Sequence, residues 1–330
     1  MTLRLSPSQV LDSHLDLLHR FDDPRFVTSQ VTNVLSDLYD CHDYDNLAQA
    51  TAEQIEMAEA VAGVVMRDNV RAAFTYKVTE DMVALLLHAA ALLDESDLFD
   101  LDLAPTHSGL VHFDQPIPVL VGSGKHQLVH WLLWGPFASG GLLVWFNDHR
   151  EPDEPARQVD EDPRSSDHRT IVGRWNCIAV QKAQVDDVLG APELVTSEEA
   201  IEELRAEGHD PPGHATNRAR IVQALWLLLG QTVTTTTKEP VERATRRRAE
   251  RIEVEPVVSV IRLRRPDHIP HADGESDVEW SRRWLVRGHW RWQPCGPRRS
   301  ERKRIWVHPY VKGPEDAPLV ITKKIYVLER

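Results

Sequence analysis

The sequence has only three cysteines, Cys41, Cys177 and Cys295, far apart and odd in number. Such thiols argue against a disulfide framework and suit a reducing compartment, so the expected location is cytoplasmic. Any apolar run of about 18 residues, enough for a membrane-spanning helix, is missing. The first residues, MTLRLSPSQVLDSH, carry no charged-then-apolar leader pattern. No membrane partner is expected.

Recognisable cofactor chemistry is also missing. Asp40-Cys41-His42-Asp43-Tyr44-Asp45 has ligand atoms, but no second cluster follows at metal-binding spacing, so it reads as an exposed acidic loop. Gly122-Ser123-Gly124-Lys125 lacks the leading glycine and the Lys-Ser/Thr end of a phosphate loop and reads as a turn. No cofactor and no metal is expected.

Charge, by contrast, is unevenly spread. Residues 1–240 hold 17 Lys/Arg against 38 Asp/Glu, a net −21, while residues 241–330 hold 21 against 13, a net +8. An acidic body with a basic end points to an anionic partner for that end, either nucleic acid, DNA or RNA, or an acidic protein. The body itself could also meet the basic end.

Hydrophobic periodicity divides the chain into three expected regions of an α+β fold. Residues 1–98 read as a helical region: Ser6-Pro7 opens one segment, Pro24 another, and two more run over 52–67 and 79–93. Residues 99–190 read as a β-rich segment whose run over 126–134 is apolar on both faces, hence a strand covered on both sides. Within it, residues 148–170 are acid-, proline- and serine-rich, and a mobile loop is expected. Residues 191–330 read as a basic α+β domain. Its helices are expected over 217–229 and from Glu239-Pro240 to Arg251, with an antiparallel sheet packed on them.

The most informative stretch is RRWLVRGHWRWQPCGPRRSERKRIWVHPYVK, residues 282–312, with ten Lys/Arg and one acid, Glu301. With period 2, Trp284, Val286, Gly288, Trp290 and Trp292 share one face, expected to be buried, and Arg287, His289, Arg291 and Gln293 share the other. After the turn residues 294–300, with Arg298 and Arg299, a second strand is expected. It carries Arg302, Lys303 and Arg304, then Trp306, His308, Tyr310 and Lys312 in exposed phase. Paired as a hairpin, the arginine-histidine-glutamine row would lie beside the tryptophan-histidine-tyrosine-lysine row. Cations there would neutralise phosphates while aromatic faces stack on unpaired bases.

The motifs Val286-Arg287-Gly288-His289-Trp290-Arg291-x-Gln293, Cys295-Gly296-Pro297 and 300–314 (SERKRIWVHPYVKGP) resemble the carboxy-terminal signature of a family of uncharacterised proteins common in Actinobacteria and their phages and plasmids. Pro105-Thr106-His107-Ser108-Gly109-Leu110, Trp134-Gly135-Pro136, Trp226 to Gly230, and Arg246-Arg247-Arg248-Ala249 extend the likeness over residues 100–330. The family has Gly-Pro-Gly where this chain has Gly296-Pro297-Arg298. The resemblance implies an actinobacterial or mobile-element setting and no mechanism.

Three functions follow as expectations. The first is nucleic-acid binding by Arg287, Arg291, Gln293, Arg298, Arg299, Arg302, Lys303, Arg304, Trp306, Tyr310 and Lys312. The second is a metal-independent, ribonuclease-like nuclease with His289 and His308 as general base and acid; a structural zinc on His268, His271, His289, Cys295 and His308 is a weaker variant. The third is a protein-interaction module of a mobile genetic element.

Overall fold

The structure, a computed structural model, describes residues 4–38, 50–120, 126–148, 175–184, 187, 189, 218–264, 283–286, 288–307, 310–312 and 319–320. Expected features at 40–45, 122–125, 149–170, 268, 271, 287 and 308 lie outside the described residues. The chain forms two compact units, residues 1–230 with 234–263, and residues 231–233 with 264–330.

Helix α1, Pro7–Arg20, starts with a reciprocal cap. The Ser6 hydroxyl accepts from Gln9 N at 3.3 Å, and Ser6 N donates to Gln9 Oε1 at 2.8 Å. Helix α2 spans Pro24–Leu38. Next come α3 (Ala52–Ala60), a π-helical turn (Val61–Val65) and α4 (Met66–Ala72), continuous in the chain. An all-helical start to the chain is then corrected by a strand, β1 (Phe74–Val78), ahead of helix α5 (Glu80–Ala91).

Strand β1 is the seam of a seven-stranded sheet. Its companions are β2 (Gly109–Leu120), β3 (His126–Phe137), β4 (Gly140–Asp148), β5 (Trp175–Ala183), β6 (Thr234–Pro240) and β7 (Val257–Leu263), in the order β5-β4-β3-β2-β1-β7-β6. Strand β1 runs parallel to both β2 and β7, and every other pairing is antiparallel. The sheet therefore unites segments from all three regions expected from the sequence. Strand β7 lies in it rather than in a carboxy-terminal sheet. The threonine run 234–237 joins it as an edge strand, because β-branched residues fit a pleated surface. That draws Glu239 and Pro240 into the strand, so the last helix of the unit, α7, starts later than expected, at Arg243, and runs to Arg251.

Both faces of the sheet are covered. One packs α1, α2, α4 and α7 over Leu110, Trp131, Leu133, Val144, Val258 and Val260. The other packs α5 and α6 (Arg218–Leu229), with Trp134 between Tyr76 and Trp226 at ring separations of 5.5 and 5.9 Å. This double cover explains the apolar run in β3, where Val129, Trp131, Leu132, Leu133 and Trp134 are all buried. The Trp134-Gly135-Pro136 segment meets Thr106 to Gly109 directly. Trp134 Nε1 donates to Thr106 O at 3.0 Å, and a Cβ on Gly109 would lie 2.2 Å from Trp134 Cζ2. Buried Arg220 of α6 donates to Ala90 O at 3.1 Å and to Leu93 O, capping the carbonyl end of α5.

The second unit is built from β8 (Arg283–Val286), β9 (His289–Cys295), β10 (Glu301–Val307), β11 (Tyr310–Lys312) and β12 (Leu319–Val320). Strands β9 and β10 form an antiparallel pair, and β8 lies between antiparallel β11 and parallel β12. The expected helices under this sheet belong to the first unit, where α6 packs on α5 and β6, and α7 on α1. Helices, a mixed central sheet and a carboxy-terminal antiparallel pair make the fold α+β.

Candidate nucleic-acid interface

The expected hairpin forms, but as two segments. His289 pairs with Val307 and, beyond a break at Arg287-Gly288, Val286 pairs with Tyr310 in the same register. Register decides which side chains share a face, since directly opposed residues in a ladder point the same way. Arg291 opposes Ile305 and Gln293 opposes Lys303; Trp290 opposes Trp306 and Trp292 opposes Arg304. Even-numbered residues thus form one face and odd-numbered residues the other.

On the even face, the rings of Trp290 and Trp306 meet edge to face with centroids 5.1 Å apart, and Trp306 is only 6% exposed. Gln231 fixes β10 from the side: its Nε2 donates to Arg304 O at 3.2 Å, and its Oε1 accepts from Trp306 N at 3.3 Å. One pair further along, the Arg304 guanidinium sits 4.6 Å from the centroid of the Trp292 ring. Trp292 remains 57% exposed. On the odd face, exposed Arg291 donates to Gln293 Oε1 at 2.7 Å.

The tip is strained. Gly296 has φ 73°, and Arg298 and Arg299 have φ 54° and 59°, in the left-handed region that favours glycine. Arg299 N donates to Gly296 O at 3.1 Å and Ser300 N to Pro297 O at 3.2 Å. Both arginines are exposed, as are Arg302 and Lys303.

Three expectations need correction. Trp306 is not an exposed stacking platform, because the register pairs it with Trp290 and buries it. Trp292, expected inside, is the exposed ring. The arginine-histidine-glutamine row does not lie beside the tryptophan row, because the five-residue loop 296–300 pairs even with even and odd with odd. His289 is exposed and opposes Val307; its expected catalytic partner His308, like Arg287, lies outside the described residues. Tyr310 and Lys312 lie in β11, opposite Val286 and Trp284.

Neither a known protein family nor a curated protein matches the chain.

A second polar constellation escaped the sequence reading. On the first unit's sheet, Lys77 Nζ donates to Asp114 Oδ2 at 2.8 Å, and His112 Nδ1 lies 3.5 Å from Asp114 Oδ1. Burial pushes the Asp114 carboxyl up, but the hydrogen bonds and charges of His112 and Lys77 outweigh it and hold the group below the usual carboxylate range. His14 of α1 lies on the same face of the sheet, bonded to Thr75. A signal was present: His112 and Asp114 interrupt the apolar run 110–119, where only paired polar groups are tolerated. Among the described residues, no three His, Cys, Asp or Glu side chains come together as a metal ion requires.

Proposed function

We propose that the protein binds nucleic acid through the even-numbered face and tip of the β9–β10 hairpin, with Trp292 stacking on an unpaired base and Arg298, Arg299 and Arg302 along the phosphates. The observation that carries this reading is the exposed Trp292 ring backed by the Arg304 guanidinium, with exposed Arg302 on the same face, exposed Arg298 and Arg299 at the tip, and one acid, Glu301, in the hairpin. A half-open aromatic face costs solvation unless something covers it. A base does so at about 1–3 kcal/mol, and the cation beneath strengthens the stack.

Fluorescence anisotropy with a labelled single-stranded oligonucleotide, titrated against salt, tests it. Affinity should fall steeply with salt, and Arg302→Ala should reduce the slope by about 0.7. Trp292→Ala should weaken binding by about 1–3 kcal/mol while keeping the slope. Unchanged affinity in a folded Trp292→Ala/Arg299→Ala/Arg302→Ala variant refutes the assignment.

A further inference from the structure

The first unit has a surface cleft of about 610 Å³ where α1, α4 and α7 meet. Its apolar floor comes from Leu15 and Leu18 of α1 and from Ile252. Four guanidiniums line it: Arg67 and Arg71, one turn apart on α4, and Arg248 and Arg251, one turn apart on α7.

The four are not equivalent. Arg67 is tied to Asp22 at 2.5 Å, and Arg248 is tied to Asp12. Asp16 is taken up elsewhere, accepting from Trp175 Nε1 at 2.8 Å and lying 3.8 Å from Arg20. Arg71 and Arg251 have no carboxylate partner among the described residues, and both are exposed. Each stands in the last turn of its helix, where the carbonyl end favours a cation. That accounts for either one alone, but not for two unpaired guanidiniums from separate helices lining the same cavity. The Nε–H of Arg67 is also enclosed and has no acceptor among the described residues. The lining also holds four carboxylates; Asp12, Asp16 and Asp22 are engaged as described, and Glu253 has no cation partner among the described residues.

Two guanidiniums without a carboxylate partner among the described residues, lining one cavity, suit a phosphoryl group, which accepts paired N–H bonds in plane with each fork. The cavity is far larger than a phosphate ion and falls in the size range of sites for small organic ligands. Its apolar floor calls for a ring or chain attached to the phosphate. We propose that this cleft binds a phosphate monoester of mononucleotide size, its phosphoryl group between Arg71 and Arg251 and its body over Leu15, Leu18 and Ile252. The site is separate from the hairpin and does not rest on the nucleic-acid reading.

Calorimetric titration of the full chain with adenosine 5′-monophosphate tests the proposal, with adenosine and inorganic phosphate as comparison ligands. Saturable binding of the monophosphate, weakened about tenfold or more in Arg71→Ala/Arg251→Ala, is the expected result. Since both side chains are exposed, the double variant should stay folded, its denaturation midpoint lowered only by the loss of two helix-end cations. The hairpin variant Arg291→Ala/Trp292→Ala should bind the monophosphate as the wild type does. Equal binding of adenosine would overturn the role of the guanidiniums, and equal binding of inorganic phosphate would overturn the role of the floor. No saturable binding, an unaffected double variant, or loss of binding in the hairpin variant would overturn the site itself.

Discussion

Lowering the pH from 7 to 5 should weaken the first unit through His14. Its ring is fully buried, with Nδ1 2.7 Å from Thr75 Oγ1 and Nε2 2.7 Å from Val70 O. A carbonyl can only accept, so Nε2 carries the proton and Nδ1 accepts from the Thr75 hydroxyl. Burial lowers the pKa from 6.5 to about 4, and the bond to Val70 opposes this only in part. The unfolded imidazole takes up a proton near pH 6.5, whereas the folded one stays neutral down to about 4. Between those values the unfolded state holds the extra proton, so the contribution is complete above pH 6.5 and shrinks as pH falls. The loss relative to pH 7 comes to about 2 kcal/mol by pH 5 and about 3 kcal/mol by pH 4. Asp114, held below its ordinary 3.8, loses its contribution only in more acid solution, and groups other than His14, His112 among them, are common to the wild type and a non-titrating His14 variant. Urea unfolding of the wild type and of His14→Gln across that window reads the effect. Glutamine can donate to Val70 and accept from Thr75, but it does not titrate. The stability difference between the two proteins should change by about 2 kcal/mol from pH 7 to pH 5. A His14 midpoint near 6.5 by NMR, or parallel pH profiles for the two proteins, would refute the reasoning.

Arg220→Met should destabilise the first unit by about 2–5 kcal/mol in chemical denaturation, because it strands the buried carbonyls of Ala90 and Leu93. Gly109→Ala drives a methyl group into the buried Trp134 ring and should cost about 1–3 kcal/mol, read by thermal melting with a red-shifted tryptophan emission as a second sign. At the hairpin tip, Arg298→Gly relieves a left-handed backbone and should stabilise the second unit by about 1 kcal/mol, measured by amide exchange in β9 and β10.

Much of the fold was legible where one physical signal dominated. Capping residues and 3.6-residue spacing marked α1 and α2, and the two-faced apolar run of β3 announced a strand covered on both sides. Strand β1 was not legible. FTYKV is five residues between two helices, and its lysine looks solvent-directed until Asp114 supplies a buried partner. At the candidate interface, composition identified the hairpin and its cations, while the choice of exposed ring went wrong. That choice depends on how the loop 296–300 aligns the strands, and a shift of one residue in register would move Trp306 to the face away from Trp290. Alternation within each strand carries no information on that alignment.

The position of β1 also bears on how the chain assembles. Its neighbours come from distant parts of the sequence, β2 soon after it and β7 beginning at Val257. At a synthesis rate of about 5–20 residues per second, the roughly 180 residues from the end of β1 to the start of β7 take about 10–35 s to emerge. Until then one edge of β1, with its N–H and C=O groups, has no partner strand, and such an edge invites pairing with other chains. Parallel pairing across so long a loop is also intrinsically slow. The nascent protein therefore passes through a stage in which its half-built sheet needs shielding, and the arrival of β7 ends it.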